Sequence, residues 1–207
     1  MKRGRDNGYV FGMPVRARVV ISLVSALIVA GKLFLNLPLH IPGHSGFFWM
    51  ALLAIGVGAT GRLGAGTLIG LLTAILATVL LPGRQGPLTG VKYFVPGLVF
   101  DVLTPLLGGR LDRPVVGAII AAAANLSKLL TAYVLGLIAG IPGGFLAMGL
   151  GFAATTHVVF GALGGWIGAF VLGKLEKAGL TEEPVEPGSM PFVSSPIAED
   201  RGEEVSP

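Results

Sequence analysis

Hydrophobic residues run along this chain in long, nearly unbroken blocks, separated by short segments of Pro, Gly, Arg and Lys. A helix needs roughly 20 apolar residues to cross a bilayer core about 30 Å thick, with a range of about 17–25. Six blocks approach that length, at residues 16–35, 46–60, 63–81, 91–108, 114–139 and 144–173. The second is the shortest, and Arg62 in ATGRLGAG marks a tight turn between it and the third. The pattern predicts an all-α polytopic membrane protein, a bundle of six transmembrane helices. It divides the chain into a basic N-terminus (1–15), a helical membrane domain (16–177) and an acidic tail (178–207).

The placement of Lys and Arg orients the bundle, because cytoplasmic loops carry the excess of positive charge. One side receives Lys2, Arg3, Arg5, Arg16, Arg18, Arg62, Arg110, Arg113, Lys174, Lys177 and Arg201; the other receives Arg84 and Lys92. Lys32 and Lys128 lie inside spans. Both termini are therefore expected in the cytoplasm, in a multi-pass protein of the inner (plasma) membrane. Omitting the short second span would put the loop of Arg110 and Arg113 outside, so the charge pattern requires it.

Composition agrees. The chain is 53% hydrophobic and 13% charged with mean hydropathy +0.80, against about 25% charged in soluble domains. Its 33 glycines show no collagen period and suit close helix approach in a membrane. With no cysteine, disulfide and thiolate chemistry are excluded. The net charge of +4 arises from basic segments between apolar runs, with most acids in the tail. That distribution argues for membrane orientation and against nucleic acid as a partner. The first apolar run ends in LFLNLPLH, without a small-residue cleavage site, and reads as a retained helix. The tail TEEPVEPGSMPFVSSPIAEDRGEEVSP cannot bury a core and is expected to be disordered.

Between the first two runs lies NLPLHIPGHSGFFWM (36–50). Pro38 and Pro42 end helical geometry, Gly43 and Gly46 permit sharp re-entry, and Ser45 is placed to cap a helix starting at Phe47. Two readings fit. One is a helix–loop–helix connection with Phe48 and Trp49 as interfacial anchors. The other is a lid over an outward-facing pocket, with His40 and His44 bonding to a ligand and Trp49 stacking on a ring. The second outer loop, 81–94, adds Arg84, Lys92 and Tyr93, which act as interfacial anchors or attract an anionic ligand at the mouth.

Counting about ten residues inward, at 1.5 Å per residue, reaches the bilayer midplane. Asp101, Asn125, Lys128 and His157 are expected at similar depths on three spans. A charge there costs about 2.5–3.5 kcal/mol and faces a partner or a cavity. Asp101 and Lys128 thus form either a structural pair or part of a binding cavity. His157 shares a face with Gly161, Gly164 and Gly168, a close-packing stripe that favours a structural role for it. No phosphate loop, nucleophile–base pair, HExxH or carboxylate pair is present, and nothing argues for an enzyme.

In the first span Ser22, Ala26 and Ala30 recur every four residues, and such small-residue faces let another helix approach. Ala26-Leu-Ile-Val-Ala30 resembles the AxxxA element in the first helix of S components of energy-coupling factor (ECF) transporters. Six spans, cytoplasmic termini, a size near 200 residues and a long first outer loop are also similar to that family, over about residues 16–177. The resemblance implies a subunit that captures a vitamin, a vitamin precursor or a metal ion from outside. It implies association, through Ser22, Ala26 and Ala30, with a transmembrane T subunit carrying two cytoplasmic ATPases. It implies no cofactor and no catalysis, and it makes the loop of 36–46 a lid. The metal branch of the family begins with Met-His-Ile-Pro-Asp-Gly and ligates through the terminal amine and the His. LHIPGHSG at 39–46 echoes those letters but is internal and lacks the Asp, which puts an organic vitamin ahead of nickel or cobalt. The pocket is expected from His40, His44, Trp49, Arg84, Lys92, Tyr93, Asp101, Asn125, Lys128, Tyr133 and His157. A membrane-embedded enzyme using His157 or Asp101 is the alternative from another class.

Overall fold

The computed structural model describes residues 9–10, 13–34, 43–80 and 90–181. A small antiparallel hairpin pairs Tyr9–Val10 (β1) with Met13–Pro14 (β2). Helices follow: α1 (Val15–Phe34), α2 (Ser45–Thr60), α3 (Ala65–Leu80), α4 (Val91–Leu106), α5 (Pro114–Ile138), α6 (Gly143–Ala147) and α7 (Leu150–Lys177). Each expected apolar run contains a helix. α5 and α7 are long and apolar enough to cross a membrane by length and composition, while α2 and α3 are shorter apolar helices of 16 residues each.

Two boundaries move, for local reasons. α3 starts at Ala65 and not at 63, because Gly64 takes a left-handed φ of 88° as the chain leaves the Arg62 turn. The sixth run, expected unbroken over 144–173, is cut into α6 and α7 at Gly149, and α7 continues to Lys177. Lys174 and Lys177 occupy its last turn, where cations favour the negative end of a helix. Helices α4, α5 and α7 end alike. The N–H groups of Gly109, Ile141 and Leu180 reach back to the carbonyls of Thr104, Gly136 and Leu175 at 2.8, 3.0 and 2.9 Å, which satisfies otherwise orphaned acceptors.

Glycine sets the helix spacing. A Cβ on Gly161 would lie 2.7 Å from the Ala121 carbonyl oxygen, and one on Gly168 would lie 2.9 Å from that of Ala51. The stripe Gly161, Gly164, Gly165 and Gly168 is buried, and through it α7 lies backbone to backbone between α2 and α5. The small-residue face read from the sequence is present as expected. A second such crossing joins α3 to α4, where a Cβ on Gly66 would meet the Gly97 carbonyl at 2.6 Å. Met50, Leu53, Ile69, Phe100 and Ile120 fill the centre of the bundle with no exposed surface.

The perimeter is apolar. Val19, Leu23 and Leu27 on α1, Leu71 and Ile75 on α3, Leu98 and Val102 on α4, and Val159, Leu163 and Phe170 on α7 are all exposed. They recur at helical spacing around the bundle. Patches of this extent on a water-solvated monomer would be unusual, and α5 and α7 are long and apolar enough to cross a membrane.

The two ends of the bundle differ. At one, called proximal, the Arg16 guanidinium donates to the Leu180 carbonyl at 2.6 Å, and Gly58 of α2 abuts Leu172 of α7. Arg110 pairs with Asp112 at 3.1 Å there, and that hydrogen bond and charge hold its guanidinium above its ordinary pKa. At the distal end, the last turn of α1 meets the first turns of α2 and α4 and the second half of α5.

Candidate ligand chamber

At the distal end, Ile28, Gly31 and Lys32 of α1 face His44, Ser45, Phe48 and Trp49 at the start of α2, Tyr93 of α4 and Lys128 of α5. They enclose a chamber of about 80 Å³. Trp49 is its floor. The Trp49 and Tyr93 rings meet edge to face at 5.3 Å, and Lys128 Nζ lies 5.2 Å from the centre of the indole ring. An ammonium over an indole face is attracted by the ring quadrupole, and more so where water is excluded. The charges of Lys32 and Lys92 also bear on Lys128.

Two neighbouring contacts fix the walls. Asn125, fully buried one turn before Lys128, donates through Nδ2 to the His157 carbonyl at 2.8 Å and so ties α5 to α7. Gly46 rests against the Asn125 amide, leaving no room for a side chain. Gly43, at φ 81°, lies against His157, where a Cβ would come within 2.8 Å of Nδ1. The entry to α2 is thus seated on α5 and α7 by residues without side chains. The His157 Nδ1–H donates to the Ala153 carbonyl at 2.8 Å, one turn back in its own helix. That is the hydrogen-bonded, half-structural setting its position on the glycine stripe predicts.

Of the residues expected at a pocket, His44, Trp49, Tyr93 and Lys128 line the chamber, Lys92 is adjacent to Tyr93, and Asn125 and His157 stand behind the wall. His40 and Arg84 lie outside the described residues. Tyr133 is half-buried farther along α5, with its hydroxyl toward Gly143 at the start of α6.

Asp101 requires a correction: it neither pairs with Lys128 nor reaches the chamber. Its carboxylate accepts from the backbone N–H of Gly66 at 2.9 Å, from that of Thr67 at 2.6 Å, and from Thr67 Oγ1 at 2.5 Å. These N–H groups belong to the first turn of α3. An N-cap side chain ordinarily satisfies them, but the residue before Ala65 is Gly64. The acid of α4 therefore caps α3 from outside. Equal depth for the four polar residues fails because the helices differ in length. Lys128, fourteen residues into the 25 of α5, stands about 21 Å from its proximal start. Asp101, ten residues down the 16 of α4, has only about 8 Å of helix left to the proximal end.

Two smaller expectations also change. α2 begins at Ser45, with His44 at the cap position and no side-chain cap bond, so Ser45 is the first helical residue and not the cap. Trp49 is 4% exposed, a core residue and not an interfacial anchor. Sequence reasoning did not place Ile28, Gly31, Lys32, Ser45 or Phe48 at the chamber. Lys32 carried a usable signal: a lysine in the last turn of α1 belongs at the distal end, where basic residues are scarce. Among the described residues no three His, Cys, Asp or Glu side chains gather to hold a metal ion.

On α1, Ser22 and Ala26 are exposed and Ala30 partly so, while Ala17, Ile21, Val24, Ser25 and Ile28 turn inward. Ser25 Oγ donates to the carbonyls of Ile21 at 2.8 Å and Ile69 at 3.2 Å, which ties α1 to α3. The ladder of small side chains is thus an outward face, flanked by a shallow groove between Val15, Arg18, Val19, Ser22 and Leu23.

No family model matches the sequence, and no curated protein does. The fold, however, is similar to a solved structure described as an S-component of an ECF transporter. That likeness has a TM-score of 0.54 at 18% identity and covers 80% of this chain and 86% of the other. The chain therefore has the S-component fold expected from the AxxxA element and the span layout.

Proposed function

We propose that the protein is the substrate-capture subunit of an ECF-type importer. It takes a vitamin or a related small molecule from outside the cell and delivers it through a membrane T subunit and two ATPases. Six membrane crossings, with both termini in the cytoplasm of a plasma-membrane protein, belong to this reading. The distal chamber is the observation that carries it. It is a small pocket of aromatic and basic side chains at the end opposite Arg16 and Arg110, on a fold similar to an S component. Binding and release, not bond chemistry, is the work such a chamber suits. Asp101 is committed to capping α3 and the His157 Nδ1–H to the Ala153 carbonyl. An organic ligand fits better than Ni or Co, because the lining offers two lysines and flat aromatic rings and no carboxylate. The exposed Ser22–Ala26–Ala30 face supplies a surface on which a partner helix can approach closely.

The test is a thermal-shift panel of B vitamins, their precursors, Ni²⁺ and Co²⁺ on the purified full chain. A specific ligand stabilises by mass action, about 2.7 kcal/mol at one hundred times its Kd. One member is expected to raise Tm; no shift from any member at millimolar concentration would reject the reading. Ala26→Trp or Ala30→Trp should leave that shift intact while abolishing co-purification with a T subunit. Undiminished co-purification would remove α1 as the docking face.

A further inference from the structure

Arg16 and Arg18 stand two residues apart at the proximal end of α1, and a guanidinium stays charged at any working pH. At about 100° of turn per residue they flank one side of the helix, with Val15, Val19 and Ser22 between them on the outward face. Arg18 lines a shallow groove there with Val15, Val19, Ser22 and Leu23, and the three apolar residues are each more than half exposed. The Arg18 Nε is buried and has no hydrogen-bond partner among the described residues. From the other edge of the same face, the Arg16 guanidinium holds the Leu180 carbonyl at 2.6 Å. The described residues end one position later, at Thr181. Glu182, Glu183 and Glu186 follow at once, and the stretch 182–207 holds seven of the chain's eleven acids and one base, Arg201. Other cations at this end are engaged elsewhere: Arg110 pairs with Asp112, and Lys174 lies 4.6 Å from the centre of the Phe170 ring.

We propose that the acidic tail crosses α1 from Arg16 to Arg18 and covers the proximal end of its small-residue face. Chain length allows the crossing. At about 3.3–3.6 Å per extended residue, Glu183 reaches about 10 Å beyond Leu180 and Glu186 about 20 Å. A helix with its side chains is about 10–12 Å across. Charge favours the crossing, because the first acids of the tail leave Leu180 beside one arginine and meet the second within that reach. A short tether keeps them at an effective concentration of about millimolar, so exposed ion pairs that are weak between separate molecules suffice here. The groove includes Ser22 of the Ser22–Ala26–Ala30 face. The tail therefore competes for the surface that a partner helix would use, and a partner with a longer apolar contact displaces it. That consequence rests on the capture reading; the contact between tail and groove does not.

The chain has no cysteine, so an introduced pair reports without background. The full chain carrying Val19→Cys and Val185→Cys keeps every acid and both arginines. It is oxidised in phosphatidylcholine nanodiscs, and the intramolecular disulfide is followed by mass spectrometry. At about 10 mM salt the screening length is about 30 Å, and at 1 M it is about 3 Å; the disulfide is expected to form about fivefold or more slowly at the higher salt. Arg18→Gln should slow it to a similar degree, as should Glu182→Gln, Glu183→Gln and Glu186→Gln together, while Arg18→Lys stays close to the parent. With a T subunit present, the three Glu→Gln changes should raise its co-purification. A disulfide that never forms, or one that ignores salt and both sets of changes, overturns the contact. So does Asp6→Asn slowing it where the tail changes do not, which would put Asp6 in the groove. Loss of the disulfide in phosphatidylglycerol nanodiscs would assign the groove to an anionic lipid and overturn it too. Unchanged co-purification would overturn the competition. None of these results touches the capture reading, which the vitamin panel and the Ala26→Trp assay judge separately.

Discussion

Replacing Asp101 tests the junction of α3 and α4 most directly. Its carboxylate accepts three hydrogen bonds, at 2.9, 2.6 and 2.5 Å, from Gly66 and Thr67. Asp101→Ala leaves two N–H groups of a first helical turn without an acceptor, and Gly64 offers no side chain in exchange. Loss of an N-cap acceptor costs about 0.5–2 kcal/mol. Hydrogen bonds to a charged group contribute about 1.5–3 kcal/mol in soluble proteins, and inter-helix bonds in membranes average about 0.6. The three bonds share one carboxylate and do not add, so a total loss of about 2–4 kcal/mol is expected. For a chain of this size each kcal/mol moves Tm by about 2–4 °C, which gives a drop of about 4–16 °C. Asp101→Asn keeps one acceptor oxygen and should lose about half as much. Scanning fluorimetry of the purified protein reads both. The companion measurement is a double-mutant cycle with Lys128→Met. The two residues do not touch, so their effects should add within about 0.5 kcal/mol. A coupling above about 1 kcal/mol, or an Asp101→Ala protein as stable as its parent, would refute this account of the cap.

Three further outcomes follow from the packing. Gly161→Ala should cost about 1–3 kcal/mol, the range for overpacking, because its Cβ would lie 2.7 Å from the Ala121 carbonyl and 2.8 Å from Asn125 Cβ. Gly173→Ala, in the same helix with its nearest neighbour 4.0 Å away, should stabilise by about 0.5–1 kcal/mol through propensity alone. Equal effects in a melting experiment would rule out backbone contact along α7. Asn125→Leu should lose the bond to the His157 carbonyl and cost about 0.6–2 kcal/mol, with weaker ligand binding as Lys128 loses its seat; unchanged stability and binding would separate that bond from the chamber.

The run lengths of apolar residues located every long helix among the described residues, because an apolar surface is a property of composition over 15 residues or more and ignores detail. What stayed hidden depended on which helices face each other. Asp101 reads as an intramembrane charge in search of a cation, and nothing local reveals that the first turn of α3 lacks its own cap until α3 and α4 are seen crossing at Gly66 and Gly97. Trp49 follows a Pro/Gly turn and looks interfacial, yet Gly43 and Gly46 draw the start of α2 so close to His157 and Asn125 that the indole turns into the core. The break at Gly149 was missed because one glycine inside an apolar run interrupts hydropathy no more than alanine does. Ser22, Ala26 and Ala30 were legible as a face, since i, i+4 spacing fixes a helix side without any knowledge of neighbours.

α1 is the element in which these features meet. Elsewhere glycine lets backbones touch, between α7 and both α2 and α5 and between α3 and α4, and backbone contact leaves no space for a ligand. α1 instead packs chiefly on α2 and α3 through branched side chains, Ile21, Val24 and Ile28, with the Ser25 bond as its polar tie. Side chains hold helices farther apart than glycines do, and the chamber opens where this seam reaches the distal end, at Gly31 and Lys32. The same helix turns Ser22 and Ala26 away from the bundle. On the capture reading, one helix thus touches the ligand at its last turn and the partner along its outer face. A ligand that shifts α1 against α2 must change the free energy of docking, and by linkage the partner must change ligand affinity by the same factor. The glycine-locked remainder of the bundle gives that shift a fixed frame to move against.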